Sequence, residues 1–422
     1  MLKSLCASLI FLIINSSVSY AEQLTLSDAV KYAAAASSSL KMVQLEEQIA
    51  GDIVNVNRSG YLPRVDLHGG YTAQQAPQSI STPFGTFETQ EADYGFLNLG
   101  ITQTLYDFGR TDARYTRAKA IREATGFEYE NQKQIIFLKT VTSYYRILQA
   151  EKLIKAADDE VIQMADHLRV AKVLYDEGAV TRNNVLQAEV QLSRSRQRRL
   201  EAGNQLDNAW LTLNDGIGAP PEHRSELEED TRLDLQDSDK PAEDAVAGRA
   251  EILAQRKLLE ASELEVKEAR SGYFPEIYTK LGLDYVENDR VKEQVIMAAT
   301  VGLKVNVFDG FATTSRFKQA VKSRSRTNLQ LKKLQSDLAL EYRTAVNDAK
   351  VAKQRITVTE TSIRQGEENL RINRDRYQEQ VGTATDVIDA QALLTQVRTE
   401  HFQAIYDYEV ALARVKRAGG EL

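Results

Sequence analysis

The chain has 422 residues, 42% hydrophobic and 27% charged, with a formal net charge of −7. That balance suits an ordered protein and excludes a basic nucleic-acid binder. The single cysteine, Cys6, lies in the first few residues, which leaves no disulfide or thiolate chemistry for the rest.

Residues 1–21 read as a signal peptide: Lys3 is the charged start, 5–14 the apolar core, and Ser19-Tyr20-Ala21 the cleavage site. No later segment is apolar enough for a membrane helix, so any membrane contact must use strands. Residues 24–57 read as a helix, with Ser27 and Asp28 as start chemistry. R-S-G-Y-L-P at 58–63 is a joint, where Gly60 relaxes the backbone and Pro63 biases Leu62 away from helix. Then Val65, Leu67, Tyr71 and Ala73 alternate with Asp66, His68, Gly70 and Thr72, the period of a strand. A polar loop, 74–93, leads to a second alternating segment, 94–106, which Asp107-Phe108-Gly109 ends.

Residues 112–175 form one long helical pattern, roughly 96 Å at about 1.5 Å per residue. Ile147, Ile154, Val161, Leu168 and Tyr175 recur at sevens, with Ala150, Ala157, Met164 and Ala171 three further on. Such a stripe should pack in the manner of a coiled coil. A turn at 176–181 precedes a helix over 182–213, and the acidic, proline-bearing residues 215–244 read as an irregular linker. The second half replays the first. A helix over 245–271 enters R-S-G-Y-F-P at 270–275, strands follow at 277–285 and 295–307, and Phe308-Asp309-Gly310 ends them. Tyr342, Ala349, Ile356, Ile363, Leu370 and Tyr377 recur at sevens, offset by 202 residues from the first copy. A turn at 378–383 and a helix over 385–417 close the chain. Duplication is therefore expected. The first repeat is 22–214 with a strand hairpin at 65–106, and the second is 245–422 with a hairpin at 277–307.

Each hairpin has an apolar face and a polar face, the latter carrying Lys280, Asp284, Lys304 and Asn306. The apolar stripes of the helices are too narrow to cover such a sheet, which favours a transmembrane barrel. Four strands cannot close one, but three copies would give about twelve.

The Gly-Tyr-[Leu/Phe]-Pro joints, Leu-Tyr-Asp-Phe-Gly-Arg at 105–110 and Thr-Asp-Val-Ile-Asp-Ala at 385–390 together resemble the TolC family of outer-membrane channel proteins. The resemblance spans nearly the whole mature chain. It implies a mixed, mostly α fold: a homotrimer whose β-barrel in the outer membrane continues as a long periplasmic α-helical barrel, with 215–244 in an equatorial region. It implies an exit duct for tripartite efflux or type I secretion, docked to a periplasmic adaptor (membrane fusion protein) and, through it, to an inner-membrane ABC or RND transporter. The alternative is a periplasmic coiled-coil scaffold without channel activity, which membrane fractionation would distinguish.

The sequence holds no nucleophile motif and no metal spacing, so no enzyme and no cofactor are expected. His68, His167, His223 and His401 are scattered and read as ordinary surface or lumen residues. The R-S-R-Q-R-R run at 194–199 reads first as a solvated helix face, with an adaptor contact or interhelix ion pairs as alternatives. The loops 74–93 and 286–293 are expected outside the cell. The turns at 176–183 and 378–385, with Gly178, Ala179, Thr181, Gly382 and Thr383, are expected at the adaptor-docking tip. Asp386 and Asp389 share one helix face and resemble the family's entrance aspartate ring, where crowded carboxylates should favour cations and have raised pKa values. Asp386 also fits a capping box with Thr383. Tyr377 matches the family's latch tyrosine. Asn184 stands where its aspartate partner is expected, and the latch arginine is missing, so Arg182 or Glu379 become latch candidates.

Overall fold

The computed structural model describes residues 23–229, 241–290 and 292–421. The segment read as a signal peptide and part of the stretch read as a linker lie outside them. The described chain forms two compact units: residues 23–37, 136–229 and 349–413 make one, and residues 38–135, 241–348 and 414–421 the other.

In chain order the elements are β1 (Gln23–Leu24), α1 (Leu26–Ala36), α2 (Ser38–Arg58), β2 (Arg64–Ala73), β3 (Ser79–Thr82), β4 (Gly85–Glu88), β5 (Asp93–Tyr106), α3 (Arg110–Asp176) and α4 (Arg182–Ile217). There follow β6 (Glu226–Leu227), α5 (Ala242–Val246), α6 (Ala250–Ser271), β7 (Glu276–Val286), β8 (Val295–Lys304), α7 (Ala312–Gln378) and α8 (Ala384–Ala418). Several expected boundaries change: the strand expected over 295–307 ends at Lys304, and the helix expected over 245–271 begins at Ala250, after the short α5. The helix expected over 24–57 breaks at Ser37, whose extended backbone (ψ 113°) caps α1, and Thr25 rather than Ser27 begins it. The loop 74–93 holds a small hairpin, β3–β4, with Phe84 93% exposed at its tip.

The second unit contains the main sheet, ordered β2-β5-β7-β8 and antiparallel throughout. Its register places Val65, Leu67 and Tyr71 beside Leu97, Leu99 and Ile101, then Leu281 and Leu283, then Met297 and Ala299, all on one face. Most of that face is exposed: Val65, Leu67, Tyr71, Leu97, Leu281, Met297, Val301 and Leu303 have no cover. The opposite face carries His68, Asn98, Asp284, Thr102, Lys280 and Thr300. Among the described residues, the outer edges of β2 and β8 pair with no other strand.

The strand-to-helix corners repeat closely. Asp107 accepts the Thr111 N–H at 2.8 Å and the Thr111 hydroxyl at 2.6 Å; Asp309 accepts those of Thr313 at 2.9 and 2.7 Å. Two consecutive residues turn left-handed at each corner, Phe108 (φ 55°) and Gly109 (φ 82°), then Gly310 (φ 66°) and Phe311 (φ 68°). Phe108 stacks on Phe274 at 4.9 Å. Arg249, the N-cap residue of α6, has a fully buried side chain. It donates to Glu251 at 3.1 Å and to Glu341 of α7 at 3.0 Å, and Arg417 adds a bond to Glu341 at 3.4 Å.

In the first unit β1 pairs in parallel with β6, and the buried Tyr144 hydroxyl lies 3.0 Å from the Leu24 carbonyl and 2.9 Å from that of Glu228. Tyr144, Tyr145, Ile147 and Leu148 are fully buried there. The basic run on α4 is partly bonded. Arg198 donates to Glu160 of α3 (3.1 Å from Nε), and Arg199 to Asp158 (2.7 Å). The interhelix alternative therefore holds for those two arginines.

Candidate functional site

Each long helical hairpin turns through the same local chemistry. After α3, the Gly178 N–H donates to the Tyr175 carbonyl at 2.9 Å and the Ala179 N–H to Leu174 at 2.8 Å. After α7, the Gln380 N–H donates to Tyr377 at 3.1 Å and the Val381 N–H to Arg376 at 2.9 Å. This six-to-one closure needs a left-handed residue at its corner. Gly178 supplies it at φ 75°, and Gln380, without glycine's freedom, at φ 60°. Gly382 has a different reason to be glycine: a Cβ there would lie 3.0 Å from Arg376 Cβ and 3.2 Å from the Tyr377 nitrogen.

The two turns restart their helices differently. Thr383 and Asp386 form a complete capping box: the Thr383 N–H donates to Asp386 at 3.0 Å, and the Asp386 N–H to the Thr383 hydroxyl at 3.2 Å. In the other turn the Thr181 hydroxyl donates to Asn184 Oδ1 at 3.0 Å and caps no backbone group. Gly178, Ala179, Thr181 and Thr383 are exposed. The Thr383 backbone N–H, its hydroxyl and the nearby Arg376 hold the Asp386 carboxyl below its usual range. Within one protomer that direction is opposite to the rise expected from crowding, which requires neighbouring copies. Asp389 is exposed, one turn on. Both aspartates stand off the buried Ala384, Val387, Ala390 and Leu394 stripe, which packs with Leu174, Leu370 and Tyr377.

Tyr377 is 4% exposed. Burial pushes its phenol up, and the neighbouring Asn184 side chain pulls it partly back, without a hydrogen bond of full geometry. Arg182 and Glu379 are exposed and form no ion pair among the described residues.

The neighbour of Tyr377 is His167, with ring centroids 5.4 Å apart. His167 is buried, at 6% exposure, which corrects its reading as an ordinary surface or lumen residue. Among the described residues its Nε2 has no hydrogen-bond partner, nor has the Tyr377 hydroxyl. The cause is a register detail. In the second repeat the inward stripe runs as read, through Ala345, Ala349, Ala352, Thr359, Leu370 and Tyr377. In the first, Glu160, His167 and Leu174 are buried beside Ala150, Ala157, Met164 and Ala171, while Tyr175 is exposed. Ile147 is buried as read, but from Glu160 on the buried positions fall one residue before the apolar sevens, so a hydrophobicity count overlooks the histidine.

With this geometry in hand, comparison with known proteins is direct. The family model described as "Outer membrane efflux protein" matches residues 29–219 and 242–421. The outer membrane protein TolC of Vibrio cholerae is 24% identical over 402 residues, covering 91% of this chain and 87% of that protein. The alkaline protease secretion protein AprF of Pseudomonas aeruginosa is 20% identical over 377 residues, covering 87% and 78%. Among solved structures, the outer-membrane channel OprN superposes with a TM-score of 0.83 at 15% identity, covering 94% of this chain and 90% of that one. CusC superposes with a TM-score of 0.85 at 14% identity, covering 94% and 92%. In sequence and in fold, the chain belongs to the outer membrane efflux protein family.

Proposed function

We propose that this protein is the exit duct of a tripartite efflux or type I secretion system. Three copies close a twelve-stranded barrel in the outer membrane, and the duct is gated at the helical turns. The observation that carries this reading is the four-stranded sheet, with one bare apolar face and unpaired outer edges on β2 and β8. In water that face costs about 25 cal/mol per Å² and the edges invite aggregation. In a bilayer, the first becomes the lipid contact and the second must be closed by neighbouring copies. The relatives named for efflux and for protease secretion support export, with either cargo class open.

Within this reading the signal peptide 1–21 is removed, the duplicated halves each supply one strand hairpin, and the turns bearing Gly178, Ala179, Thr181, Gly382 and Thr383 meet a periplasmic adaptor. Asp386 and Asp389 of three copies ring the narrow entrance. Asp386 does this while serving as a cap, whereas Asp389 has no capping duty. Tyr377 and Asn184 hold the closed turn from within. The test is fractionation of the mature protein. Heat-labile trimers extracted from outer membranes are expected, and a soluble periplasmic monomer would leave the scaffold reading instead.

A further inference from the structure

The chain is acidic overall, yet its second unit holds a strongly basic groove on α6 between α3 and α7. At its upper end, a cavity of about 530 Å³ is lined by Arg110, Arg114, Lys304 and Arg316. A second cavity, which shares Arg117 and Glu265 with the first, continues it past Arg326. The carboxylates present are already occupied or outnumbered. Glu276 pairs with Arg110 at 3.5 Å, and Glu268 is shared by Arg114 at 2.6 Å and Arg117 at 3.0 Å. Asp309 is taken up by Thr313 and the start of α7. In the sheet Lys304 stands opposite Glu276, but that carboxylate faces Arg110 and accepts from the Thr104 hydroxyl at 3.0 Å. Among the described residues, Lys304, Arg316 and Arg326 have no ion-pair partner. Asp337, at the edge of the second cavity, is paired with Lys333 at 3.6 Å, which leaves Glu265 to face them.

We propose that this groove is a binding site for compact multivalent anions, such as phosphate-, sulfonate- or polycarboxylate-bearing groups on exported cargo. Unpaired cations converging on a concavity raise the local concentration of anions, and guanidinium forks bind planar oxyanions in two-point fashion. The groove lies on the water side of the sheet. Lys304 shares the polar strand face with Lys280, and Arg110 pairs with Glu276 on that same face. A lipid headgroup would have to approach from the apolar face, so dissolved anions are the ligand the geometry selects. Placement in the lumen rests on the proposed duct.

The test uses the detergent-extracted full protein and the trisulfonated dye pyranine, read by fluorescence anisotropy. Saturable, salt-sensitive binding is expected, weakened roughly tenfold for each cation lost in Lys304→Gln, Arg316→Gln and Arg326→Gln, since charged hydrogen bonds carry about that much. Lys350→Gln, away from the groove, should bind as the parent does. Absent binding, or equal binding by parent and triple variant, would overturn the site. Pyranine block of conductance in planar bilayers separates the two claims: binding without block keeps the site and refutes its placement in the lumen.

Discussion

Gly178 and Gln380 occupy the same left-handed corner in the two turns, one with the residue that corner favours and one without. A side chain in that conformation costs about 1–2 kcal/mol, so Gly178→Ala should loosen its turn by about 1 kcal/mol. Gln380→Gly should be close to neutral, because relief of strain is offset by the freer unfolded chain. Hydrogen exchange of the two turn peptides is the readout. His167 makes a pH prediction. Burial, helped by Arg374 on α7, lowers its pKa below the ordinary 6.5, while Asp166 on its own helix pulls the other way. Two ion pairs join α3 to α4 on either side of His167, Glu160–Arg198 and Lys172–Glu189. The packed form thus prefers neutral histidine. Its contribution is complete above 6.5 and is lost as pH falls through the depressed value. Opening of the helix around 160–175 should rise by up to about tenfold per pH unit in that window, after correction for intrinsic exchange. His167→Gln should flatten this response, and a response unchanged in that variant would show that other groups carry it.

At the scale of elements, α6 begins on a fully buried arginine, and its charge is compensated by carboxylates on two helices. Arg249→Ala would remove the buried cation and leave Glu251 and Glu341 with only the more distant Arg417, at 3.8 and 3.4 Å. Breaking a buried pair of this kind costs about 3 kcal/mol or more. The variant should therefore melt at lower temperature, and Arg249→Lys should recover only part, because an ammonium cannot bridge both carboxylates with a planar fork. The sequence shows neither this network nor its importance, since Arg249 sits singly in a run of small residues, Ala247-Gly248-Arg249-Ala250, beside the linker. What the sequence does show is periodicity. The strand faces around Leu97, Leu281 and Met297 alternate with period two and were legible throughout. The α7 stripe ending at Tyr377 was legible because Leu370, Ile363 and Ile356 are large and apolar. On α3 the row Ala150, Ala157, Met164 and Ala171 is legible, but its companion row shifts by one residue past Ile147 because Glu160 and His167 occupy inward positions. The β3–β4 hairpin was missed because its strands are short and rich in serine and threonine.

For the whole molecule, the distribution of charge and apolar surface fits a duct. Bare apolar strands suit lipid, polar strand faces suit water, and acidic residues sit at the turns that end α3 and α7. In the assembled duct, three copies of Asp386 and Asp389 would place six carboxylates at the entrance and favour cations there. The cap formed by Asp386 keeps it ionised, which strengthens that preference. The most direct test is single-channel recording of outer-membrane-extracted trimers in planar bilayers. Small, steady, cation-selective conductance is expected, with block by trivalent cations. Selectivity and block should both weaken in the Asp386→Asn, Asp389→Asn double variant. Trimers that conduct no ions would contradict the duct, and a double variant with unchanged selectivity and block would contradict the acidic entrance.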